Sequence, residues 1–130
     1  MAHIQFHSVS PFLATEDLPT TLAFYIDKLG FALAWEWGEP TELAAVCRDE
    51  VELTLANRAD AKPGGISRLY LHIDGIDSYH AQLQSAGVVI TVAIADRPYG
   101  MRDFSVTDPA GNVLCFGQAL PQSTSASEAL

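Results

Sequence analysis

The chain is poor in cysteine and in positive charge. Only two cysteines, Cys47 and Cys115, occur in 130 residues, and they form no CxxC pair. Neither a disulfide framework nor a structural zinc site is therefore expected. Seven Lys and Arg stand against sixteen Asp and Glu, a formal net charge of −9. Nucleic-acid binding needs a basic footprint, and none is visible. An acidic surface keeps a protein soluble and also attracts cationic ligands. No apolar run approaches the ~20 residues that span a bilayer, and the opening Met-Ala-His-Ile-Gln has no basic stretch followed by an apolar one. A cytoplasmic protein with neither nucleic-acid nor membrane partners is expected. There is no Gly-rich phosphate loop and no readable Ser-His-Asp or Cys-His arrangement, so no catalytic residue and no cofactor are assigned.

What is present suits one globular domain: 48% of residues are hydrophobic and 18% charged. A chain of this length buries about two-thirds of its unfolded surface. The organising stretch is Arg97 to Gln118, which reads as strand, tight turn, strand. Asp108-Pro-Ala-Gly-Asn112 is dense in turn residues, because proline presets φ, glycine accepts positive φ, and Asp and Asn bond nearby backbone. Upstream, His7 to Thr15 reads as a strand. Asp17 caps a helix with Pro19 in its first turn, Leu22, Tyr25, Ile26 and Leu29 recur at helical spacing, and Gly30 ends it. Strands follow at Phe31–Glu36, Leu43–Cys47 and Val51–Ala56, then a polar linker from Asn57 to Gly65.

The pattern then restarts. Ser67–Ile73 reads as a strand, Ile76, Tyr79, Leu83 and Ala86 as a helical stripe closed by Gly87, and Val88–Ala95 as a strand. Asp17 to Gly30 and Asp74 to Gly87 span the same interval, which marks a duplicated architecture. The expected class is α+β, with two βαβββ modules at about 7–57 and 66–119 in a single domain covering 1–120. The polar tail, 121–130, is expected to be disordered.

Alternation separates the faces of each strand. Leu69, Leu71 and Ile73 oppose Arg68, Tyr70 and His72, and Val51, Leu53 and Leu55 oppose Glu52, Thr54 and Ala56. Leu114 and Phe116 oppose Val113, Cys115 and Gly117. The first set in each case supplies the apolar floor that a helix needs. A face with Glu52 and Arg68 in its middle is either solvent-facing sheet or the lining of a cleft.

The two modules, the Phe24-Tyr25…Leu29-Gly30-Phe31 helix exit and the Asp108-Pro-x-Gly-Asn112 hairpin resemble the vicinal oxygen chelate superfamily. This group includes glyoxalase I, extradiol dioxygenases, and fosfomycin- and bleomycin-resistance proteins. The resemblance implies strands curving into a half-open, barrel-like cleft, commonly built jointly by two subunits, so a homodimer is expected. Enzymes of the family hold a divalent metal at four positions that fall here on Ser10, Glu52, Arg68 and Cys115. Only Glu52 is a hard oxygen ligand, and Arg68 brings a fixed positive charge, so no metal site is assigned. Arg68 is expected to pair with Glu52 instead. His72 shares the cleft parity with Arg68, but a lone histidine makes no metal set.

The ligand chemistry is aromatic. Trp35 and Trp37 share one face, and Tyr99 and Met101, flanked by Arg97 and Arg102, lie on the loop entering the final hairpin. The expected role is a metal-free binding protein resembling the bleomycin-resistance branch, which sequesters a planar or cationic small molecule. Phe12, Trp35, Trp37, Tyr70 and Tyr99 would supply stacking area, Glu52, Arg68 and Arg102 orientation, and Met101 and Cys115 further lining. The alternative is a metal-dependent enzyme resembling glyoxalase or an extradiol dioxygenase, with its metal held by Glu52, His72 or His7 in an unorthodox set.

Overall fold

A computed structural model describes residues 3–57 and 66–121. Most of the linker and nearly all of the tail expected from the sequence lie outside the described residues. Two four-stranded mixed sheets carry the fold. Sheet A has the order β1-β4-β3-β2 and sheet B the order β5-β8-β7-β6. The strands are β1 (Phe12–Thr15), β2 (Ala32–Trp37), β3 (Leu43–Arg48) and β4 (Val51–Asn57), then β5 (Arg68–His72), β6 (Val92–Asp96), β7 (Met101–Thr107) and β8 (Val113–Ala119). The helices are α1 (Leu18–Ala23), continued by a π-helical turn over Phe24–Lys28, and α2 (Ile76–Ser85). Each module pairs its first strand with its last in parallel, and its other strands are antiparallel. The α+β architecture and its internal repeat are as the sequence implies.

Several boundaries differ. The first strand is four residues long rather than nine, because pairing with β4 stops at Pro11. Pro11 accepts from Thr54 N–H at 3.0 Å but has no N–H of its own to continue the ladder. The chain before it stays exposed, with Ile4, Phe6 and Val9 bare. The strand expected from Val88 begins only at Val92, since Val88 N–H turns back to Leu83 O at the end of α2. Asp17 caps α1, accepting from Thr20 N–H at 3.2 Å. At α2 the cap position falls on Gly75, and Gln118 Oε1 reaches across from β8 to accept from Ile76 N–H.

The inner faces of both sheets and both helices share one core, including Leu13, Tyr25, Leu55, Leu83, Phe104 and Phe116. Polar bonds then join the modules through their helical side. Tyr25 Oη donates to Asp108 Oδ2 at 2.8 Å, Tyr79 Oη to Leu29 O at 2.7 Å, and Lys28 Nζ to Ala86 O at 2.8 Å. The Arg48 guanidinium lies over the Tyr79 ring and donates to Leu29 O. Burial and the Asp108 side chain both push the Tyr25 phenol up, and burial pushes Tyr79 up to about 12.

The hairpin turn is the centre of this joint. Asp108 Oδ1 accepts from Ala110 N–H and Asn112 N–H, each at 2.9 Å, which closes the turn. Asn112 is buried and reaches out of it: Nδ2 donates to Ala14 O on β1 and to Asp108 Oδ2, while Oδ1 accepts from Ser67 N–H ahead of β5. The turn motif thus ties both modules together, and Gly111 takes the positive φ of 96° that closing the turn requires.

Candidate ligand-binding faces

The outer face of sheet A is a row structure. Phe12, Thr54, Ala45 and Trp35 stand side by side across four strands, and Ala14, Ala56, Leu43 and Trp37 form the next row. The first row has Thr54 and Ala45 at its centre and the second Ala56 and Leu43, and Thr54, Ala45, Ala14 and Ala56 are buried. The flanks are aromatic and bare: Phe12 is 55% exposed, Trp35 40% and Trp37 61%. Small residues between large flat ones make a shallow trough whose floor is buried from solvent, with Ala45, Thr54 and Ala56 at 0–1% exposure. Glu52 lies beside it, with the Trp35 indole N–H pointing at Glu52 Oε2 over 3.4 Å. In the trough floor, Thr54 Oγ1 is buried without a hydrogen-bond partner among the described residues. Buried hydroxyls are rarely left so, because the lost hydration is not repaid.

The outer face of sheet B carries a cavity of about 530 Å³, lined by Arg68, Tyr70, Val92, Arg97, Tyr99, Asp103, Ser105 and Cys115, with Leu69 at its edge. Its centre is Asp103, 3% exposed. Asp103 Oδ2 accepts from Tyr70 Oη at 2.9 Å and from Tyr99 Oη at 2.7 Å, while Oδ1 accepts from Arg97 Nε at 2.8 Å. Burial pushes the Asp103 carboxyl up, but these three bonds and the Arg97 charge outweigh it and hold the carboxyl below its usual value. The same arrangement pushes the Tyr70 and Tyr99 phenols up, by burial and the bond to Asp103. Tyr70 can lie flat across β8 because residue 117 is glycine; a Cβ there would overlap the Tyr70 phenol oxygen. Burial also lifts the Cys115 thiol, despite the Ser105 hydroxyl and the positive charges of Arg97 and Arg68.

Most of the residues singled out in the sequence fall on these two outer faces. Phe12, Trp35, Trp37 and Glu52 gather on sheet A, and Arg68, Tyr70, Tyr99 and Cys115 on sheet B. Met101 shares the outer parity of β7 with Asp103. Two expectations are corrected. Arg102 has the parity of Phe104 and turns to the helical side, where Nε donates to Asp77 Oδ1 at 2.9 Å and Nη1 to Asp96 Oδ1 at 3.0 Å. No ion pair joins Arg68 to Glu52 among the described residues, because each stands on the outer face of a different sheet. Asp103 and Ser105 are site residues that the sequence reading does not single out, while Gly117 stands on the face that parity assigns it. Applying to β7 the alternation used for the other strands puts Met101, Asp103 and Ser105 together, opposite Phe104 and Val106.

The metal positions implied by the resemblance hold a hydroxyl, a carboxylate, a guanidinium and a thiol. Among the described residues no three His, Cys, Asp or Glu side chains gather to hold an ion. Arginine cannot ligate a cation and repels one. This donor set does not fit a divalent metal.

Two βαβββ modules with matched sheet order define the fold class. The chain belongs to the Glyoxalase/Bleomycin resistance protein/Dioxygenase superfamily, whose model matches residues 1–116. It is 25% identical over 128 residues to the bleomycin resistance protein of Geobacillus stearothermophilus, covering 85% of this chain and 95% of that one. The fold is similar to TnmS3, an antibiotic binding protein from Streptomyces sp. CB03234, at a TM-score of 0.76 and 27% identity over 90% of this chain and 99% of the other. It is also similar to lactoylglutathione lyase from Agrobacterium tumefaciens, at a TM-score of 0.70 and 22% identity over 85% and 92% of the two chains. No helix among the described residues is long and apolar enough to cross a membrane.

Proposed function

We propose that this protein binds a planar, drug-like small molecule without a resident metal. The ligand sits in the cytoplasm between the sheet A trough of one copy and the sheet B cavity of a second. The observation that carries the reading is the exposed aromatic set on the outer face of sheet A, Phe12, Trp35 and Trp37, flanking a strip of small residues. Aromatic walls supply area at low entropic cost, and a few polar groups then orient the ligand. The likeness to a bleomycin resistance protein and to an antibiotic binding protein supports the same assignment.

Three further points favour a shared site. The sheet B cavity draws none of its lining from sheet A, so one chain supplies one wall. Leu33, Trp37, Val92 and Tyr99 are all exposed, and bare apolar faces of this kind mark interaction surfaces. Glu52 and Arg68, unpaired with each other within a chain, carry opposite charges on the two faces, which favours one face meeting the other across a dimer. Glu52 and the net charge of −9 favour a ligand with a cationic group at the trough end.

Isothermal titration of metal-free bleomycin into wild type, Trp35→Ala and Trp37→Ala tests the reading. Binding is expected in wild type, with each substitution weakening it at least ~10-fold, as loss of a buried aromatic anchor does. Equal affinity in all three proteins would remove the trough from the site.

A further inference from the structure

The hydrogen-bond network around Asp103 has a direction, and that direction constrains the ligand. A phenol has one hydrogen to donate and lone pairs to accept with. Tyr70 and Tyr99 both spend their hydrogen on the same oxygen, Asp103 Oδ2, at 2.9 and 2.7 Å. The other oxygen is occupied by Arg97 Nε, and the Arg97 Nη2 donates to the Ala93 and Asp103 carbonyls. The carboxyl is held below its usual value, so it is an ionised acceptor at neutral pH and cannot return a proton to either phenol. Both phenol oxygens therefore meet the cavity as acceptors only, within two hydrogen-bond lengths of each other. Arg68, at the same cavity, has no ion-pair partner among the described residues and disfavours a second cation there.

We propose that Asp103 is a positioning residue which sets Tyr70 and Tyr99 as paired acceptors, so that the sheet B cavity selects a neutral hydrogen-bond donor, a hydroxyl or amide N–H on a planar body. This rests on the small-molecule-binding reading above and adds the chemical class recognised at its second wall. Gly117 is part of the device, because only a residue without Cβ lets the Tyr70 ring cross β8 to reach Asp103.

The test uses the full-length protein and two planar probes that differ in one donor, 6-hydroxyquinoline and 6-methoxyquinoline, with bleomycin titrated alongside. Wild type is expected to bind the hydroxyl compound at least ~5-fold more tightly, the worth of one net hydrogen bond. Asp103→Asn is isosteric but offers an amide N–H to each phenol, which frees both phenol hydrogens for the cavity. The preference should fall to about unity in this variant. Tyr70→Phe keeps the ring, removes one acceptor and should reduce the preference without depending on Asp103, which guards against a folding defect in Asp103→Asn. A purely structural Asp103 would change affinity for both probes alike and leave their ratio intact. An unchanged ratio in both variants, or equal binding of the probes to wild type, overturns the inference while leaving the broader reading standing if bleomycin binds. If neither probe nor bleomycin binds wild type, both fall together.

Discussion

Asn112→Ala is the substitution that bears most heavily on how the two modules are held together. The side chain is buried and makes three bonds, to Ala14 O at 3.0 Å, Asp108 Oδ2 at 3.0 Å and Ser67 N–H at 2.9 Å. Truncation leaves three groups to consider. Asp108 Oδ2 keeps Tyr25 Oη, and Ser67 N–H is only part-buried, so water can reach it. Ala14 O is buried and loses the amide that reaches it from the turn. Each lost bond is worth about 1 kcal/mol net, and a buried group left bare adds ~1–3 kcal/mol. The sum is about 4–6 kcal/mol, a third or more of the stability of an ordinary domain. Urea unfolding followed by far-ultraviolet circular dichroism reads this directly, with an unchanged slope required for the comparison. Asn112→Asp should cost at least as much, since it removes both donated bonds and sets a second acid against Asp108. A loss below about 1 kcal/mol for Asn112→Ala would refute the assignment of the turn as the joint between modules.

Three further outcomes follow from the geometry. Tyr25→Phe should lower the unfolding free energy by about 1–2 kcal/mol, because Asp108 retains Asn112 when the phenol is lost; the same urea assay measures it. Gly117→Ala should swing the Tyr70 ring away from Asp103 and cost about 1–2 kcal/mol, visible as a perturbed near-ultraviolet tyrosine spectrum with the far-ultraviolet spectrum retained. Tyr79 is raised from 10.0 to about 12 in the fold. Its contribution is therefore fully present below pH ~10 and is lost as pH climbs through ~12. Tyr79→Phe should flatten the alkaline limb of a stability–pH curve between those values, and an unchanged limb would show that other groups govern it.

The repeat was legible because it rests on local physics. Leu22, Tyr25 and Leu29 at helical spacing, a glycine exit at Gly30, and alternation in Val51–Ala56 and Arg68–Ile73 each dictate one element without reference to the rest of the chain. Misreadings arose where partners decide. His7 to Pro11 alternates acceptably for a strand, yet Pro11 ends the ladder and nothing among the described residues pairs with the chain before it. Arg102 sits next to loop aromatics in sequence, but its parity along β7 sends it to Asp77 and Asp96. The Asp108–Asn112 turn was readable as a turn, while its ties to Ala14, Ser67 and Tyr25 depend on contacts across the fold. The site was legible by face rather than by partner. Parity grouped Glu52 and Thr54, and likewise Tyr70 and Cys115, but gave no means of telling that Tyr70 and Tyr99 converge on Asp103.

Native mass spectrometry of the protein with metal-free bleomycin is the decisive experiment, because one spectrum reports subunit number, bound drug and bound metal together. The expected species is two 14.0 kDa chains carrying two drug molecules and no metal. A single chain without drug, or a dimer that holds a metal ion and leaves bleomycin unbound, would contradict it.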